Sequence, residues 1–421
     1  MMITAKNGSD YMNGLPRIEQ RLCEQLFQSI GPAPIRFVLP DGKEASPAGM
    51  SPVGTVFIHD NRTLAKLILD PEMAFGEAFA EGRIHVEGDL VGMLEAVYQS
   101  MGTSPEGKYE RLTSKLLNWW QANTPNGSRN NIHHHYDLGN DFYKLWLDPQ
   151  MIYTCAYFAS PETTLEEAQE AKLDYICRKL QLRPGETVTE AGCGWGGLAL
   201  HMAQRYGVTV KAFNISHEQI LFARRAADER GLSDQVEFIE DDYRNISQRC
   251  DAFVSVGMLE HVDPKRFADF GEVIHRAIGD KGRGLLHFVG RSHTGNFSRW
   301  IRKRIFPGAH APSLAEAMNI LQPRHYAVLD VENLRLHYAR TLEHWLDRFE
   351  ASSPRVIEMY GAWFHRAWRL YLAGSIAGFR TGTLQLFQIM FAGSKRQSSS
   401  WTRAPLYAET GTLREEVCLR H

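Results

Sequence analysis

The segment Thr187-Val188-Thr189-Glu190-Ala191 reads as a strand and runs directly into Gly192-Cys193-Gly194-Trp195-Gly196-Gly197, after which a helix begins. Glycines in such a turn let the backbone approach a ligand at the strand's carboxyl end, where the first crossover of an alternating α/β sheet binds its cofactor. Taken alone the pattern is weak, because a tight strand-to-helix turn with no ligand uses the same glycines. Three further features favour S-adenosylmethionine over a dinucleotide. The loop is GxGxGG rather than GxGxxG. Asn214-Ile215-Ser216-His217-Glu218-Gln219 follows the second strand with polar side chains that can reach ribose and methionine. Asp241-Asp242-Tyr243 follows the third strand, where an adenine pocket is expected.

Other single residues admit two readings each. Cys155 can be an inert buried thiol or a site residue. Glu260-His261, after an apolar strand, can begin a helix or hold a base at the sheet's carboxyl edge. His287 lies in an apolar strand, where a satisfied core histidine is the ordinary case. The triple histidine 133–135 invites a metal reading, but consecutive residues do not face one another on a helix or strand, so no metal site is expected. Seven basic residues and no acidic one lie between Lys281 and Ala315: Lys281, Arg283, Arg291, Arg299, Arg302, Lys303 and Arg304. That run is either a solvated face or, with Trp300, Ile301, Ile305 and Phe306 interleaved, a surface for anionic headgroups.

The run Asn131-Ile132-His133-His134-His135-Tyr136-Asp137-Leu138-Gly139-Asn140-Asp141-Phe142-Tyr143, followed by Tyr153-Thr154-Cys155-Ala156-Tyr157-Phe158, resembles the cyclopropane-fatty-acyl-phospholipid synthase family. So do Glu190 through Gly197, Ser255-Val256-Gly257-Met258-Leu259-Glu260-His261-Val262 and Leu285-Leu286-His287-Phe288-Val289-Gly290. The resemblance runs from about residue 130 to about residue 393, with a weaker echo at Gly76-Glu77-Ala78-Phe79.

This resemblance implies transfer of a methylene from S-adenosylmethionine across a cis double bond of a phospholipid acyl chain. The alkene attacks the sulfonium methyl, a carbocation forms, and a base removes a proton from the new methyl so that the ring closes. An alkene has no acidic proton, so rate must come from positioning and from electrostatics that favour a cation. Aromatic faces suit that cation. By resemblance the base is a bicarbonate ion held by Cys155, Glu260, His287, Val289 and Tyr338. Val289 replaces the relatives' Ile, and the contact runs through the backbone. The cofactor set is Glu190, Gly192, Gly194, Trp195 and Gly196, with Tyr153, Thr154, Asn214, Gln219, Asp242 and Tyr243. Relatives carry a Cys where this chain has Ser375. The carbocation route needs no covalent enzyme intermediate, so Ser375 is left out of the catalytic set. Methyl transfer without ring closure is the alternative on the same scaffold. A lipid-binding protein on a decayed scaffold would show a broken glycine loop or lack Glu260, and neither is seen.

Those residues need elements to hold them. Helix Thr164–Leu180, strand Thr187–Ala191, helix Gly197–Tyr206, strand Val208–Phe213 and helix Glu218–Arg230 alternate regularly. Strands Val236–Ile239, Ala252–Val256 and Gly284–Phe288 continue the pattern, which implies parallel pairing through right-handed crossovers. The expected fold is α/β, a doubly wound, Rossmann-like class I methyltransferase sheet with added helices, preceded by a small α+β N-terminal domain. The expected division is 15–105 for that domain, 106–129 for a helical linker, 130–393 for the catalytic domain and 394–421 for a polar tail. The C-terminal third reads as mostly helical. With 47 basic and 49 acidic side chains the formal charge is −2, so nothing global advertises nucleic acid. Six scattered cysteines without a CxxC pair argue against a disulfide framework. No apolar run approaches the roughly 18 residues of a membrane span. The expected setting is cytoplasmic, peripheral on the inner face of the cytoplasmic membrane, with unsaturated phospholipid as substrate and, by resemblance, a homodimer.

Overall fold

A computed structural model describes residues 24–27, 30–47, 49–102, 138–294, 298–396 and 401–407. The expected linker 106–129, the triple histidine 133–135 and most of the tail lie outside those residues. Two compact units divide the chain: Met1–Ala122 with Gly295–Gly308 and Ala339–Leu384, and Asn123–Thr294 with Ala309–Tyr338 and Gln385–His421. The sequence reading treats 130–393 as one run; compactness assigns two stretches of it to the first unit.

The first unit opens with β1 (Ile35–Val38), β2 (Glu44–Ala45), β3 (Gly54–Ile58), α1 (Asn61–Leu69), α2 (Pro71–Ala80), β4 (Ile84–Gly88) and α3 (Leu90–Gly102). Its sheet has the order β2-β1-β3-β4. Each helix start is written in the sequence: Asp60 caps α1 by accepting from the Thr63 N–H at 2.7 Å, and Asp70 caps α2 just before Pro71.

In the second unit come α4 (Asn140–Tyr143), α5 (Leu165–Leu180), β5 (Thr187–Ala191), α6 (Gly197–Tyr206), β6 (Thr209–Asn214), α7 (His217–Glu229), β7 (Val236–Glu240), β8 (Ala252–Val256), α8 (Phe267–Ile278) and β9 (Arg283–Gly290). Thr164 and Glu167 form a reciprocal capping box that starts α5. The chain then visits the first unit with α9 (Arg299–Arg304), and returns for α10 (Leu314–Leu321) and β10 (Ala327–Asn333). After α11 (Arg335–Ala351) and α12 (Ser353–Thr381) it closes with β11 (Gln385–Ala392) and α13 (Ala404–Tyr407).

The second unit's sheet has the order β10-β11-β9-β8-β5-β6-β7. Strands β5 to β9 are parallel, as the alternation implies, while β11 runs antiparallel to both β9 and β10. The C-terminal third is mostly helical, as read, and these last two strands are the elements that reading did not include. Every residue of β11, Gln385-Leu386-Phe387-Gln388-Ile389-Met390-Phe391-Ala392, is buried, so no period of two marks it as a strand. One face of the sheet packs Ile176, Leu198, Met202, Val210 and Ile220; the other packs Phe253, Phe267, Phe270, Phe288 and Phe391. Strand order reverses between β5 and β8, which opens a crevice at the carboxyl end of β5.

Part of the basic run is engaged within the protein. In the first unit the Trp300 ring lies on Gly76 of α2, so close that a Cβ there would stand 2.5 Å from it. Arg304 makes two hydrogen bonds to the Glu77 carboxylate at 2.8 and 2.9 Å, and the Arg299 N–H donates to Glu72 at 2.6 Å. The weak echo at Gly76-Glu77 is thus the seat of α9. Arg283 is buried and donates to the Leu180 carbonyl, to the Gln181 carbonyl at 3.0 Å and to Glu186 at 2.5 Å.

Candidate active site

Gly192, Gly194 and Gly196 all have positive φ, at 83°, 55° and 87°. Their surroundings separate their roles. A Cβ on Gly192 would meet the Met258 side chain at 2.9 Å, and one on Gly196 would meet Phe238 at 2.6 Å. Among the described residues, a Cβ on Gly194 would meet nothing within 4 Å. Gly192 and Gly196 pack the turn against the protein, and Gly194 leaves its outer face clear for a ligand. Asn214 at the end of β6 donates to the Gly194 carbonyl at 3.2 Å and to Gln219 Oε1 at 2.7 Å, so both polar residues after the second strand brace the loop.

Beside it a pocket is lined by Gly192, Phe213, Asn214, Asp241, Asp242, Tyr243, Met258, His261 and Arg266, among others. Asp242 is clamped by Arg244 at 2.7 and 2.6 Å. Burial pushes the Tyr243 hydroxyl up to about 12 and the His261 ring down to about 4, so both are neutral walls at pH 7.

Trp195 donates from its indole N–H to Asn140 Oδ1 at 2.7 Å, which ties the loop to α4. The Trp195 ring stands 4.9 Å from that of Tyr143, which stands 5.5 Å from Tyr153; Trp146 is 5.2 Å from Tyr153. This is a cluster of aromatic faces next to the loop, the environment a sulfonium or carbocation prefers to water.

The turn presenting Tyr153, Thr154 and Cys155 is held by Asp148, whose carboxylate accepts from the Gln150 and Ile152 N–H groups at 2.9 and 3.0 Å. Thr154 accepts from buried Lys172 at 2.9 Å. Glu190 is buried, and one of its carboxylate oxygens has no hydrogen-bond partner among the described residues. Burial pushes its carboxyl up to about 8 and the Lys172 ammonium down to about 8, each shift partly offset by the attraction between the two.

A relay of backbone and side-chain bonds along β9, β11 and the start of α11 links Glu260, Val289, Cys155 and Tyr338. Glu260, in a 3-10 turn after β8, accepts from the Val289 N–H at 2.6 Å. Val289 opposes Leu386 on β11, and the Leu386 carbonyl accepts from the Leu334 N–H at 2.8 Å. The Leu334 carbonyl in turn accepts from the Cys155 thiol at 4.0 Å and from the Tyr338 N–H at 3.1 Å. His287 lies two residues before Val289 on the same face of β9. Glu260 Oε2 and His287 Nε2 are both buried without a hydrogen-bond partner among the described residues. Burial pushes the Glu260 carboxyl up to about 7, opposed by the Val289 N–H, and holds the His287 ring well below its ordinary value, with the Lys172 and Lys179 charges adding to that. The Val289 backbone N–H is engaged by the Glu260 carboxylate. Ser375 lies on α12, in the first unit.

Sequence reasoning missed Asn140, Lys172, Lys179 and Gln388. Asn140 sits in a quoted motif and Lys172 on the helix that follows another, but nothing in their spacing says what they touch.

The sequence profile described as mycolic acid cyclopropane synthetase matches residues 124–389. The chain belongs to that family. A second profile, for a domain of unknown function, matches residues 22–107. A probable fatty acid methyltransferase of Pseudomonas putida is 33% identical over 89% of this chain and 96% of that protein. The cyclopropane-fatty-acyl-phospholipid synthase of Escherichia coli is 41% identical over 61% of this chain and 66% of that protein. Among solved structures, the mycolic acid cyclopropane synthase complexed with SAH and CTAB is 30% identical with a TM-score of 0.60, covering 62% of this chain and 97% of that one. The family's fold is the class I methyltransferase sheet described above, and its members are enzymes of that class. Among the described residues no helix is long and apolar enough to cross a membrane.

Proposed function

We propose that the chain transfers a methylene from S-adenosylmethionine to the cis double bond of an unsaturated phospholipid acyl chain, making a cyclopropane fatty acid. The observation that carries the reading is the pair of buried, unpartnered polar atoms, Glu260 Oε2 and His287 Nε2, near the carboxyl edge of the sheet that bears the glycine loop. Burying such atoms unmet costs about 1–3 kcal/mol each, a cost recovered when a polar ligand fills the space. Methyl transfer to an ordinary N or O nucleophile needs no such anion cradle.

S-adenosylmethionine supplies a methyl on a sulfonium, which the alkene can attack. Gly194 gives it an open backbone face, Asn214 and Gln219 hold that face still, Glu190 closes the strand end, and Asp242 with Tyr243 walls the adenine side. The clear space over Gly194 supports this fit. The rings of Tyr143, Trp146, Tyr153 and Trp195, packed on one another and tied to the loop through Trp195, give the site an aromatic wall suited to developing positive charge. Glu260, His287, Cys155 and Tyr338 are the residues that would hold a bicarbonate, with an ionised Glu260 accepting its O–H and His287 Nε2 donating to one of its oxygens. The lipid arrives from the membrane, so the working enzyme is peripheral on the inner face of the cytoplasmic membrane, and we take it as a homodimer.

The alternative, methylation without ring closure, is favoured by one observation: the relative matched over 96% of its length is described as a fatty acid methyltransferase. Lipids from cells expressing the chain decide between them. Cyclopropanation adds one CH2 and leaves no bond for ozone to cleave. A gain of CH2 with ozone cleavage retained, or a saturated methyl branch, establishes the alternative.

A further inference from the structure

A buried chain of hydrogen bonds outside the reacting groups ends on His287. Glu332 on β10 accepts from Lys179 Nζ at 2.6 Å, and Asp330 stands 3.8 Å from the same ammonium. Lys179, near the end of α5, donates to Gln388 Oε1 on β11 at 2.8 Å. Gln388 Nε2 meets His287 Nδ1 at 2.9 Å. Lys179, Gln388 and His287 are 4%, 1% and 2% exposed, so water does not compete for these bonds.

Donor and acceptor chemistry orders the chain without ambiguity. An ammonium has donors only, so the Gln388 atom facing Lys179 must be the carbonyl oxygen. The amide is thereby oriented, and its NH2 faces the imidazole. Nδ1 must accept, so a neutral ring carries its proton on Nε2. Nε2 is the atom that has no partner among the described residues.

We propose that Lys179 and Gln388 are positioning residues that lock His287 in the Nε2–H tautomer, making it a fixed hydrogen-bond donor into the pocket and barring it from acting as the base. One nitrogen is occupied by the amide and the other already bears a proton, so the proton released on ring closure goes elsewhere. The proposal rests on the reading above only for the pocket's role; the tautomer is a property of the chain alone.

The test is nitrogen NMR of the full chain labelled with ¹⁵N-histidine, the His287 signals assigned by their loss in His287→Asn. Wild type should show one Nε2–H tautomer. In Gln388→Glu a carboxylate replaces the NH2, and the proton should move to Nδ1. Turnover on vesicles of a cis-monounsaturated phosphatidylglycerol should then fall at least tenfold, while S-adenosylhomocysteine affinity by calorimetry stays within about twofold. Gln388→Met, which cannot bond the ring, should show both tautomers and an intermediate rate. Retention of Nε2–H in Gln388→Glu, or in Gln388→Met should the first fail to fold, overturns the proposal. So does a loss of cofactor affinity in step with turnover, which marks a merely structural role. A shifted tautomer with unchanged turnover upholds the lock and instead removes His287 from the anion pocket.

Discussion

Glu260 combines a short bond from the Val289 N–H with a second oxygen left unmet, and burial lifts its carboxyl to about 7. An ionised Glu260 is the form that accepts the O–H of a bound anion, so turnover should rise with pH through about 7. Glu260→Gln should remove that acid limb, and Glu260→Ala should cut kcat steeply with cofactor affinity retained; added bicarbonate should saturate the wild-type rate. The same group shapes stability. Its folded value lies above the ordinary 4.5, so the folded state binds more protons than the unfolded one between about 4.5 and 7, and stability falls as pH rises across that window. Glu190 acts in the same direction, so denaturant midpoints of Glu260→Gln should keep part of the fall and lose part. The glycine loop separates function from folding equally sharply. Gly194→Ala should keep its melting temperature to within the cost of a positive φ, about 1 kcal/mol, yet bind S-adenosylhomocysteine poorly. Gly196→Ala, driven into Phe238, should unfold at clearly lower temperature. Equal behaviour of the two variants would place the cofactor elsewhere.

Elements carry these residues to their places through bonds that the reacting groups do not make. Arg283 at the start of β9 is 1% exposed and binds two carbonyls at the end of α5 together with Glu186. Arg283→Met should cost about 3 kcal/mol in urea unfolding, because Glu186 and the carbonyls lose their partner inside the protein. A loss below about 1 kcal/mol would show that water replaces the guanidinium. Strand β11 has a comparable role: Leu386 bonds Leu334, and Gln388 faces His287. From sequence β5 to β9 were readable, since each sits between amphipathic helices and glycine-bearing turns. β10 and β11 were not. They follow helices with no parallel crossover to announce them, and β11 is buried on both faces.

At the scale of the molecule, the cationic α9 is tied to acidic residues of the first unit. Arg304 and Arg299 are engaged by Glu77, Glu72 and Asp70 within the first unit, so their charge is largely spent before any membrane arrives. Arg304→Gln should lower the melting temperature by a few degrees while binding to anionic vesicles, measured by co-sedimentation, changes by less than about twofold. A large loss of vesicle binding would restore the basic run as the membrane surface. The amino-acid sequence by itself determined the family, the parallel part of the sheet and the identity of the glycine loop, because these depend on residues adjacent in the chain whose spacing follows turn and strand geometry. Tertiary structure alone decided that Gly194 is open and Gly196 is filled, and that α9 belongs with α2. It also decided that Lys179, 108 residues before His287 in the chain, helps set where that ring keeps its proton. Those outcomes depend on which atoms meet across the sheet, and burial there turns each hydrogen bond into a choice of protonation state that no local pattern records.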